Sequence, residues 1–272
     1  MNKYAERMGE RVMKKWFYFF FVISIGLILF AGCSQGEASN GTGGAEEDGK
    51  KVLKMATSAD FKPFEFFDEE GNFAGFDIDL AHLIAEELGY ELEIEDMNFD
   101  GLIGALQANR VDMVMAGMSA TEERKKNVDF SIEYHRSGEM FIVQKDSGID
   151  SLDDLQGKIV GVQLGTIQEE GADLLSEEYG FEVKKLDTAN VLIQELITGR
   201  IDVGYLDKEV ALGIIAEHDI TGFDDPTTST PGMAIAFPKG SELKEKVDEV
   251  LQKFQEDGTL QELKEKWKLT EE

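Results

Sequence analysis

The sequence has little of what proteins use for cross-links, structural metal sites and nucleic-acid binding. It contains one cysteine, so no disulfide framework can form within the chain. Its three histidines, His82, His135 and His218, are widely spaced and lack the closely spaced partners of a zinc site. Cations are also scarce: 27 Lys and Arg stand against 55 Asp and Glu, and a net charge of −28 repels a phosphate backbone. We therefore expect no metal, no cofactor and no nucleic-acid partner.

The composition nevertheless supports a sizeable folded protein. The chain has 272 residues, of which 42% are hydrophobic and 10% aromatic. A chain of this length and composition can bury a core in one large domain or in two lobes. A wholly disordered or fibrous protein is excluded.

The start of the chain has the order of a secretion signal. An uncharged run extends from Trp16 to Gly32, and Cys33 follows two small residues at its end. This order resembles a bacterial lipoprotein signal, in which a peptidase cleaves before the cysteine and the thiol is acylated. It departs from the usual pattern at Phe30, where leucine is more common. An uncleaved membrane anchor is the alternative. The basic residues before the run are Lys3, Arg7, Arg11, Lys14 and Lys15.

The segment after the cysteine is composed like a linker. Ser34–Gly49 is rich in Gly, Ser and Glu and has no apolar periodicity. We therefore predict a signal peptide at residues 1–32 and a flexible tether at residues 33–50. With Cys33 lipidated, the tether would hold a folded domain close to a membrane.

From residue 51 onward, strand and helix patterns alternate with short connections. Lys51–Thr57 alternates like a strand, and the apolar residues after Gly75 fall on one helical face until Gly89. Such alternation favours α/β lobes with helices on the faces of a mixed or parallel sheet. The other predicted strands are Glu91–Asp96, Val111–Ala116, Lys158–Val162, Glu182–Leu186 and Ile201–Leu206, and the other helices are Gly101–Ala108, Leu152–Leu155, Thr166–Tyr179, Asn190–Thr198 and two within Glu242–Trp267.

Five stretches of this part stand out together. They are Thr57–Phe66, Gly75–Leu80, Ala116–Ser131, Leu155–Gln168 and Asp202–Asp207. In order and spacing they are similar to the extracytoplasmic receptors of ATP-driven importers for polar amino acids, bacterial solute-binding protein family 3. The resemblance covers essentially all of residues 51–272.

The resemblance implies a two-lobed periplasmic-binding-protein-like fold of type II, with the ligand cleft between the lobes. The implied boundaries are 51–138 for the first part of lobe 1, 139–232 for lobe 2, and 233–272 for the return to lobe 1 and the C-terminal helices. The implied protein is a monomer, lipid-anchored outside the cytoplasmic membrane, that binds a free polar L-amino acid. It would pass this ligand to an ABC permease and its ATPase without chemical change.

The residues from Ser119 to Arg124 suit the carboxylate of an amino acid. They follow a strand and open a short helix, so that N–H groups, a hydroxyl and a guanidinium surround one point. The resemblance assigns Arg124 to the ligand carboxylate, with Ala116, Gly117 and Ser119 beside it. An ion pair of Arg124 on an exposed helix is the alternative.

A second group of candidates follows the strands of lobe 2. Gly165–Gln168 lies between a strand and a helix, where backbone N–H groups are available to an anion. The resemblance places Gln163, Thr166 and Gln168 near the ligand and assigns Asp207 to the α-ammonium group. Asp207 is also a good helix N-cap for Lys208 onward, and the two roles are compatible.

The side chain of the ligand is the least determined part of the prediction. Phe61 and Phe99 match positions where aromatic rings sandwich it in the family, although a Phe after a strand is also typical of a core. Ser58 stands where related receptors for basic amino acids and glutamine commonly carry Asp, which disfavours arginine, lysine and histidine as ligands and leaves the identity of the amino acid open. Further candidates for side-chain contacts are Glu65, Glu139 and His135, whereas His82 is expected at the surface.

Two other functions fit the same fold. A cyclohexadienyl dehydratase acting on prephenate or arogenate resembles these receptors, and it would need a proton donor in the cleft, for which Glu139 and His135 are the candidates. The other is a ligand sensor that works without a permease.

Overall fold

The structure, a computed structural model, describes residues 51–227 and 231–269. The predicted signal peptide, Cys33 and the tether lie outside these residues. Within the described ranges, no helix has the length and apolar character needed to cross a membrane.

The described chain alternates between strands and helices, as its periodicity predicts. The strands are β1 (Lys51–Thr57), β2 (Asp60–Phe61), β3 (Glu65–Phe67), β4 (Phe73–Ala74), β5 (Tyr90–Asp96), β6 (Met113–Val114), β7 (Asp129–Phe130), β8 (Glu139–Gln144), β9 (Ile159–Gln163), β10 (Glu182–Leu186), β11 (Val203–Asp207), β12 (Ile220–Asp224) and β13 (Ala236–Phe237). The α-helices are α1 (Phe76–Leu88), α2 (Leu102–Gln107), α3 (Glu122–Lys125), α4 (Ile167–Tyr179), α5 (Ala189–Ile197), α6 (Lys208–Glu217), α7 (Leu243–Glu256) and α8 (Thr259–Trp267).

The described strands form two five-stranded sheets and one small antiparallel sheet. The first large sheet has the order β5-β1-β6-β13-β7, in which β1 is parallel to both neighbours and β13 is antiparallel to both of its neighbours. The second has the order β10-β9-β11-β8-β12, with β8 antiparallel to β11 and β12. Strands β2, β3 and β4 form the small sheet. Each large sheet is the centre of one lobe.

The chain passes between the two lobes twice. It leaves the first sheet after β7 and the second after β12, and it rejoins the first sheet at β13. The two crossing segments pair with each other, since Met233 N donates to the His135 carbonyl at 2.8 Å and Tyr134 N donates to the Met233 carbonyl at 3.0 Å. Ala120 N donates to the Gly232 carbonyl at 3.1 Å, which ties the segment before α3 to one crossing segment. The predicted residue boundaries of the lobes remain a prediction.

Helix ends and burial follow from the sequence. The predicted helix after Gly75 is α1, and Gly89 ends it in a left-handed conformation with φ 75°. Threonine side chains begin two helices of lobe 2: Thr166 accepts a hydrogen bond from Glu169 N, and Thr188 accepts one from Val191 N. Apolar residues of α1, α7 and α8 are buried in one core cluster, so the C-terminal helices complete lobe 1.

Some predicted elements differ at their ends. The expected strand Val111–Ala116 is reduced to β6, although every residue of it except Asp112 is buried. Its pairing ends before Gly117, whose φ of 55° turns the chain out of the sheet. The expected helix at Leu152–Leu155 is a 3-10 turn closed by a capping box between Ser151 and Asp154.

Candidate functional site

All eleven residues predicted to bind the ligand line one cavity between the two lobes. The cavity measures about 400 Å³, counting the space open to solvent at its mouth. Three more residues line it that were not among those eleven: Asp60, Glu65 and Ile167. From lobe 1 the predicted residues are Ser58, Phe61, Phe99, Ala116, Gly117, Ser119 and Arg124, and from lobe 2 they are Gln163, Thr166, Gln168 and Asp207.

Arg124 is a buried cation that its neighbours do not neutralise. Its side chain is held by two backbone carbonyls, that of Ser119 at 2.8 Å from Nη1 and that of Gly165 at 2.9 Å from Nη2. Among the described residues no carboxylate forms an ion pair with it. Burial lowers the pKa of Arg124 to about 10, with Glu170 acting in the opposite direction. The predicted alternative, an exposed ion pair, is therefore wrong, and the guanidinium is available to an anion in the cavity.

Gly117, which the resemblance placed beside the ligand carboxylate, uses its N–H group within the protein. Gly117 N donates to Asp77 Oδ2 at 2.8 Å, so its N–H is directed to Asp77. A Cβ at this glycine would lie 3.0 Å from the Phe61 ring, and the φ of 55° suits glycine. Gly117 therefore holds the aromatic wall close to the backbone, and Asp77 fixes the turn.

The lobe 2 side of the cavity also uses some of its backbone groups internally. Gly165 N donates to Glu169 Oε2 at 2.6 Å, so the expectation of a free N–H at this glycine is wrong. Thr166 donates through its hydroxyl to the Gln163 carbonyl at 2.7 Å while it caps α4. The side-chain nitrogen of Gln163 is buried and has no hydrogen-bond partner among the described residues, which leaves it available to a ligand.

Asp207 is both a helix cap and a cavity residue. Its Oδ1 accepts hydrogen bonds from Glu209 N at 2.9 Å, Val210 N at 3.4 Å and Ser137 Oγ at 3.1 Å. Burial raises the pKa of Asp207 to about 7, although these hydrogen bonds act in the opposite direction. The N-cap predicted from the sequence is confirmed, and the same carboxyl also lines the cavity.

The two aromatic residues lie at the cavity rather than deep in a core. Phe61 and Phe99 are half-buried, and the Phe99 ring centroid is 5.3 Å from the Arg124 guanidinium carbon. The Phe61 ring stacks on the Phe64 ring with centroids 5.9 Å apart. Both Phe61 and Phe99 can therefore contact a ligand side chain.

A carboxylate that the sequence reasoning missed lies next to Ser58. The Ser58 hydroxyl donates to Asp60 Oδ1 at 3.1 Å, and Asp60 Oδ2 accepts from Ala189 N of lobe 2 at 2.6 Å. Burial raises the pKa of Asp60, partly offset by its hydrogen bonds. Asp60 N also donates to the Ser58 carbonyl at 2.8 Å, so a tight bend brings the two side chains together, and the sequence pattern did not show this bend.

Of the further candidates for side-chain contacts, Glu65 alone lines the cavity. It is fully buried, and burial raises its pKa well above the usual range, reinforced by neighbouring carboxylates. Glu139 and His135 are buried but do not belong to the described lining, and Glu139 accepts a hydrogen bond from Gln168 Nε2. His82 is exposed, as expected.

Comparison with known proteins gives the family. The sequence model for bacterial extracellular solute-binding proteins, family 3, matches residues 53–270. The chain belongs to this family. The resemblance noted from the sequence is therefore confirmed, and with it the two-lobed α/β fold and the general function of a receptor for polar amino acids in an ABC importer.

Three similar proteins bear on what family members bind. The arginine-binding extracellular protein ArtP of Bacillus subtilis is 44% identical over 258 residues, which cover 94% of this chain and 98% of ArtP. The structure of an ancestral arginine-binding protein bound to arginine has a TM-score of 0.76 and 43% identity, and the match covers 80% of this chain and 98% of that one. The arginine-, lysine- and histidine-binding protein ArtJ of Geobacillus stearothermophilus has a TM-score of 0.76 and 33% identity, covering 82% and 97% of the two chains.

Proposed function

We propose that this family 3 receptor captures an amino acid with a cationic side chain, L-arginine in the first place, in the cavity between its lobes. The observation that carries the proposal is the charge of the lining: one guanidinium, Arg124, against three carboxyl groups, Asp60, Glu65 and Asp207. The arginine-binding relatives support it.

The backbone of an amino acid accounts for two of these four groups. Its carboxylate would pair with Arg124, and its ammonium would pair with Asp207 across the cleft. Asp60 and Glu65 then remain for the ligand side chain. Glu65 is fully buried and Asp60 is half-buried, and a guanidinium would supply both carboxyl groups with a cation and planar donors.

Asp60 also answers the objection to basic ligands that Ser58 raises. The Ser58 hydroxyl orients the Asp60 carboxylate, and this carboxylate belongs to the same cavity. A carboxylate two residues further along can therefore replace the aspartate that related receptors carry at position 58. The half-buried rings of Phe61 and Phe99 would stack on the guanidinium.

Capture would require the two lobes to close on the ligand. Contacts between the lobes flank the cavity in the structure: Arg124 Nη2 binds the Gly165 carbonyl, Asp60 Oδ2 binds Ala189 N, and Lys62 pairs with Glu217 at 2.6 Å. The free energy of ligand binding would stabilise the closed form. A permease would recognise this form, and its partner ATPase would supply the energy for transport. Charge-assisted contacts worth about 1.5–3 kcal/mol each make a micromolar or tighter complex reasonable.

The proposal includes a location and an anchor. The family is extracellular, and lipidation at Cys33 would keep this monomeric receptor at the membrane beside its permease. The boundaries 33–50 for the tether, 51–138 and 233–272 for lobe 1, and 139–232 for lobe 2 belong to the same proposal. Replacing Cys33 with Ser would release the protein from the membrane fraction if the cysteine carries the lipid.

We expect no chemical change in the ligand. The three named relatives are binding proteins, and the proton donors considered for a dehydratase, Glu139 and His135, are not in the described lining of the cavity. Incubation with prephenate, with product followed by absorbance, tests this part. Turnover would replace the receptor function with an enzymatic one.

A thermal-shift panel tests the proposed function. The full chain in mild detergent is unfolded and refolded to remove carried-over ligand, then heated with each of the twenty amino acids and with cystine. At about 100 times Kd, a specific ligand stabilises the fold by roughly 2.7 kcal/mol, a shift of a few degrees. We expect the largest shift with arginine. A shift with acidic or apolar amino acids in place of arginine would contradict the proposal.

A further inference from the structure

Glu65 and Asp77 form a carboxyl pair beneath the cavity that the proposed function does not account for. Both side chains are fully buried, Asp77 N donates to the carbonyl of Phe64 at 2.9 Å, and the carboxyl groups of Glu65 and Asp77 lie close enough for one hydrogen bond between them. Glu65 faces the cavity, whereas Asp77 lies behind it on α1. A ligand can therefore reach one member of the pair only.

The hydrogen-bond partners of the two groups are unequal. Asp77 Oδ2 accepts from Gly117 N at 2.8 Å and from the Tyr134 hydroxyl at 2.9 Å. The other oxygen of Asp77 and both oxygens of Glu65 receive no donor among the described residues. Two carboxylates cannot bond to each other, but one proton between them supplies the missing donor. The ionised form is favoured at Asp77, so the proton belongs on Glu65.

The surroundings of Glu65 keep that proton in place. Carboxylates at Asp77, Asp60 and Asp207 raise the pKa of Glu65 beyond the effect of burial, and burial raises the pKa of Asp77 to about 6. The cation of the cavity, Arg124, is bound to two carbonyls. Among the described residues, the charged and titratable groups that act on Glu65 or line the same cavity are Asp77 on α1, Asp60 on β2, Asp207 on β11, Arg124 on α3 and Tyr134 on the first crossing segment. His135 of that segment lies against the ring of Phe64, the residue before Glu65.

Resting on the proposed function, we propose that Glu65 and Asp77 share one proton in the free receptor, and that a cationic ligand side chain displaces this proton from Glu65. The O–H bond of Glu65 breaks, the proton passes to buffer, and the carboxylate pairs with the entering guanidinium. One positive charge enters as another leaves. A neutral side chain instead meets a neutral carboxylic acid, so it binds without releasing this proton.

Titration calorimetry with two matched ligands measures the displacement. L-Citrulline differs from L-arginine in carrying a neutral urea group in place of the guanidinium. Both ligands have the same α-ammonium group, so both change the protonation of Asp207 equally. Heats measured for the full chain at one pH between 5.5 and 7.5, in buffers of different ionisation enthalpy, give the protons released per ligand. We expect arginine to release more than citrulline, by a difference approaching one proton, and the arginine affinity to fall as the pH is lowered.

Variants distinguish proton release from the Glu65–Asp77 pair from proton release by other charged groups of the cavity. In Asp77→Asn the new side-chain amide can donate to Glu65, so the Glu65 carboxylate is already ionised before the ligand binds. The difference in proton release between arginine and citrulline should therefore shrink. In Glu65→Gln the difference should vanish and arginine should bind at least tenfold more weakly, while citrulline keeps its affinity within a few-fold. Glu86→Gln, the same change on the exposed side of α1, should match the wild type. Circular dichroism checks that each variant folds.

The outcomes distinguish the two proposals. If arginine does not bind, the proposed function fails. If arginine binds and releases no more protons than citrulline, the carboxyl pair is not displaced and this inference alone fails. An unchanged difference in Glu65→Gln would overturn the assignment to Glu65, whether or not Asp77→Asn folds.

Discussion

Arg124 is the residue on which the account of ligand binding depends most. It is 7% exposed, and backbone carbonyls rather than carboxylates hold its guanidinium. A buried cation with no anionic partner is unfavourable, so an anion that enters the cavity relieves this cost. The carboxylate common to all amino acids is such an anion, and in the proposed function Arg124 would bind it whatever the ligand side chain.

Replacing this arginine should therefore abolish binding of every amino acid. Without the guanidinium the ligand carboxylate would be buried unpaired, a loss of about 3–5 kcal/mol or at least a hundredfold in affinity. Calorimetry on Arg124→Ala measures the loss. Arg110→Ala provides the control, since Arg110 forms an exposed ion pair with Glu95. Wild-type affinity in Arg124→Ala would contradict the assignment of Arg124 to the ligand carboxylate.

Asp207 gives a prediction with two readouts. Asn is as good an N-cap as Asp, so Asp207→Asn should keep α6 and weaken binding of amino acids that have a free ammonium group. Ligand analogues without the ammonium should be less affected. Equal binding of arginine by variant and wild type would contradict the role of Asp207.

The second readout is the pH dependence of unfolding. Burial raises the pKa of Asp207 to about 7 in the folded state, above its usual 3.8. Its contribution to stability is thus fully present below about pH 4 and is lost as the pH rises through about 7. Relative to Asp207→Asn, the ligand-free wild type should lose on the order of 1 kcal/mol or more over this range. Urea unfolding of both proteins at pH 4.5 and 7.5 measures this loss. If the difference in free energy of unfolding between the two proteins is the same at both pH values, the raised pKa of Asp207 is contradicted.

At the scale of elements, the N-terminus of α5 is a point where one lobe binds the other. Asp60 of lobe 1 accepts a hydrogen bond from the first N–H of this helix in lobe 2, while Thr188 caps it locally. A carboxylate at a helix N-terminus is favourable because of the free N–H groups and the helix dipole. Asp60 therefore connects the ligand cavity to the contact between the lobes.

This connection predicts a pattern of affinities. Asp60→Ala should weaken citrulline by about tenfold, because it removes a bond between the lobes, and arginine by more, because it also removes a charge that faces the guanidinium. Lys62→Ala removes an ion pair whose partners are both more than half exposed, and it should change either affinity by less than about fivefold. Calorimetric dissociation constants for the two ligands test this. A loss confined to arginine in Asp60→Ala would restrict Asp60 to charge recognition.

The sequence predicted the elements better than the contacts between them. Apolar periodicity, Gly89 and the threonine caps determine helices locally, which is why α1, α4 and α5 lie where they were expected. Strand β6 was overestimated because burial continues where sheet pairing has already stopped. The pairing of Asp60 with Ala189 spans 129 positions, and no local pattern encodes such a contact.

The candidate site shows the same limit. Motif resemblance gave the eleven lining residues, but not which backbone N–H groups are already in use. Gly117 N is bound to Asp77 and Gly165 N to Glu169, and both bonds depend on side-chain placement in three dimensions. The unpartnered carboxyl of Glu65 likewise becomes evident only when its burial is known.

On the scale of the whole molecule, the two lobes contribute complementary halves of the proposed site. Lobe 1 provides the guanidinium and the aromatic rings, and lobe 2 provides Asp207 and the amide of Gln163. Neither half alone surrounds a ligand, so binding and approach of the lobes are expected to occur together. The two paired crossing segments are the natural axis of that motion.

The central claim is that this cavity recognises both ends of a cationic amino acid, and dissociation constants for three ligands test it most directly. L-Arginine has both ends, agmatine lacks the carboxylate, and L-citrulline lacks the side-chain cation. Titration calorimetry on the ligand-free full chain at pH 7.5 should give micromolar or tighter binding for arginine. Agmatine and citrulline should each bind at least tenfold more weakly. Agmatine or citrulline binding as tightly as arginine would contradict the account.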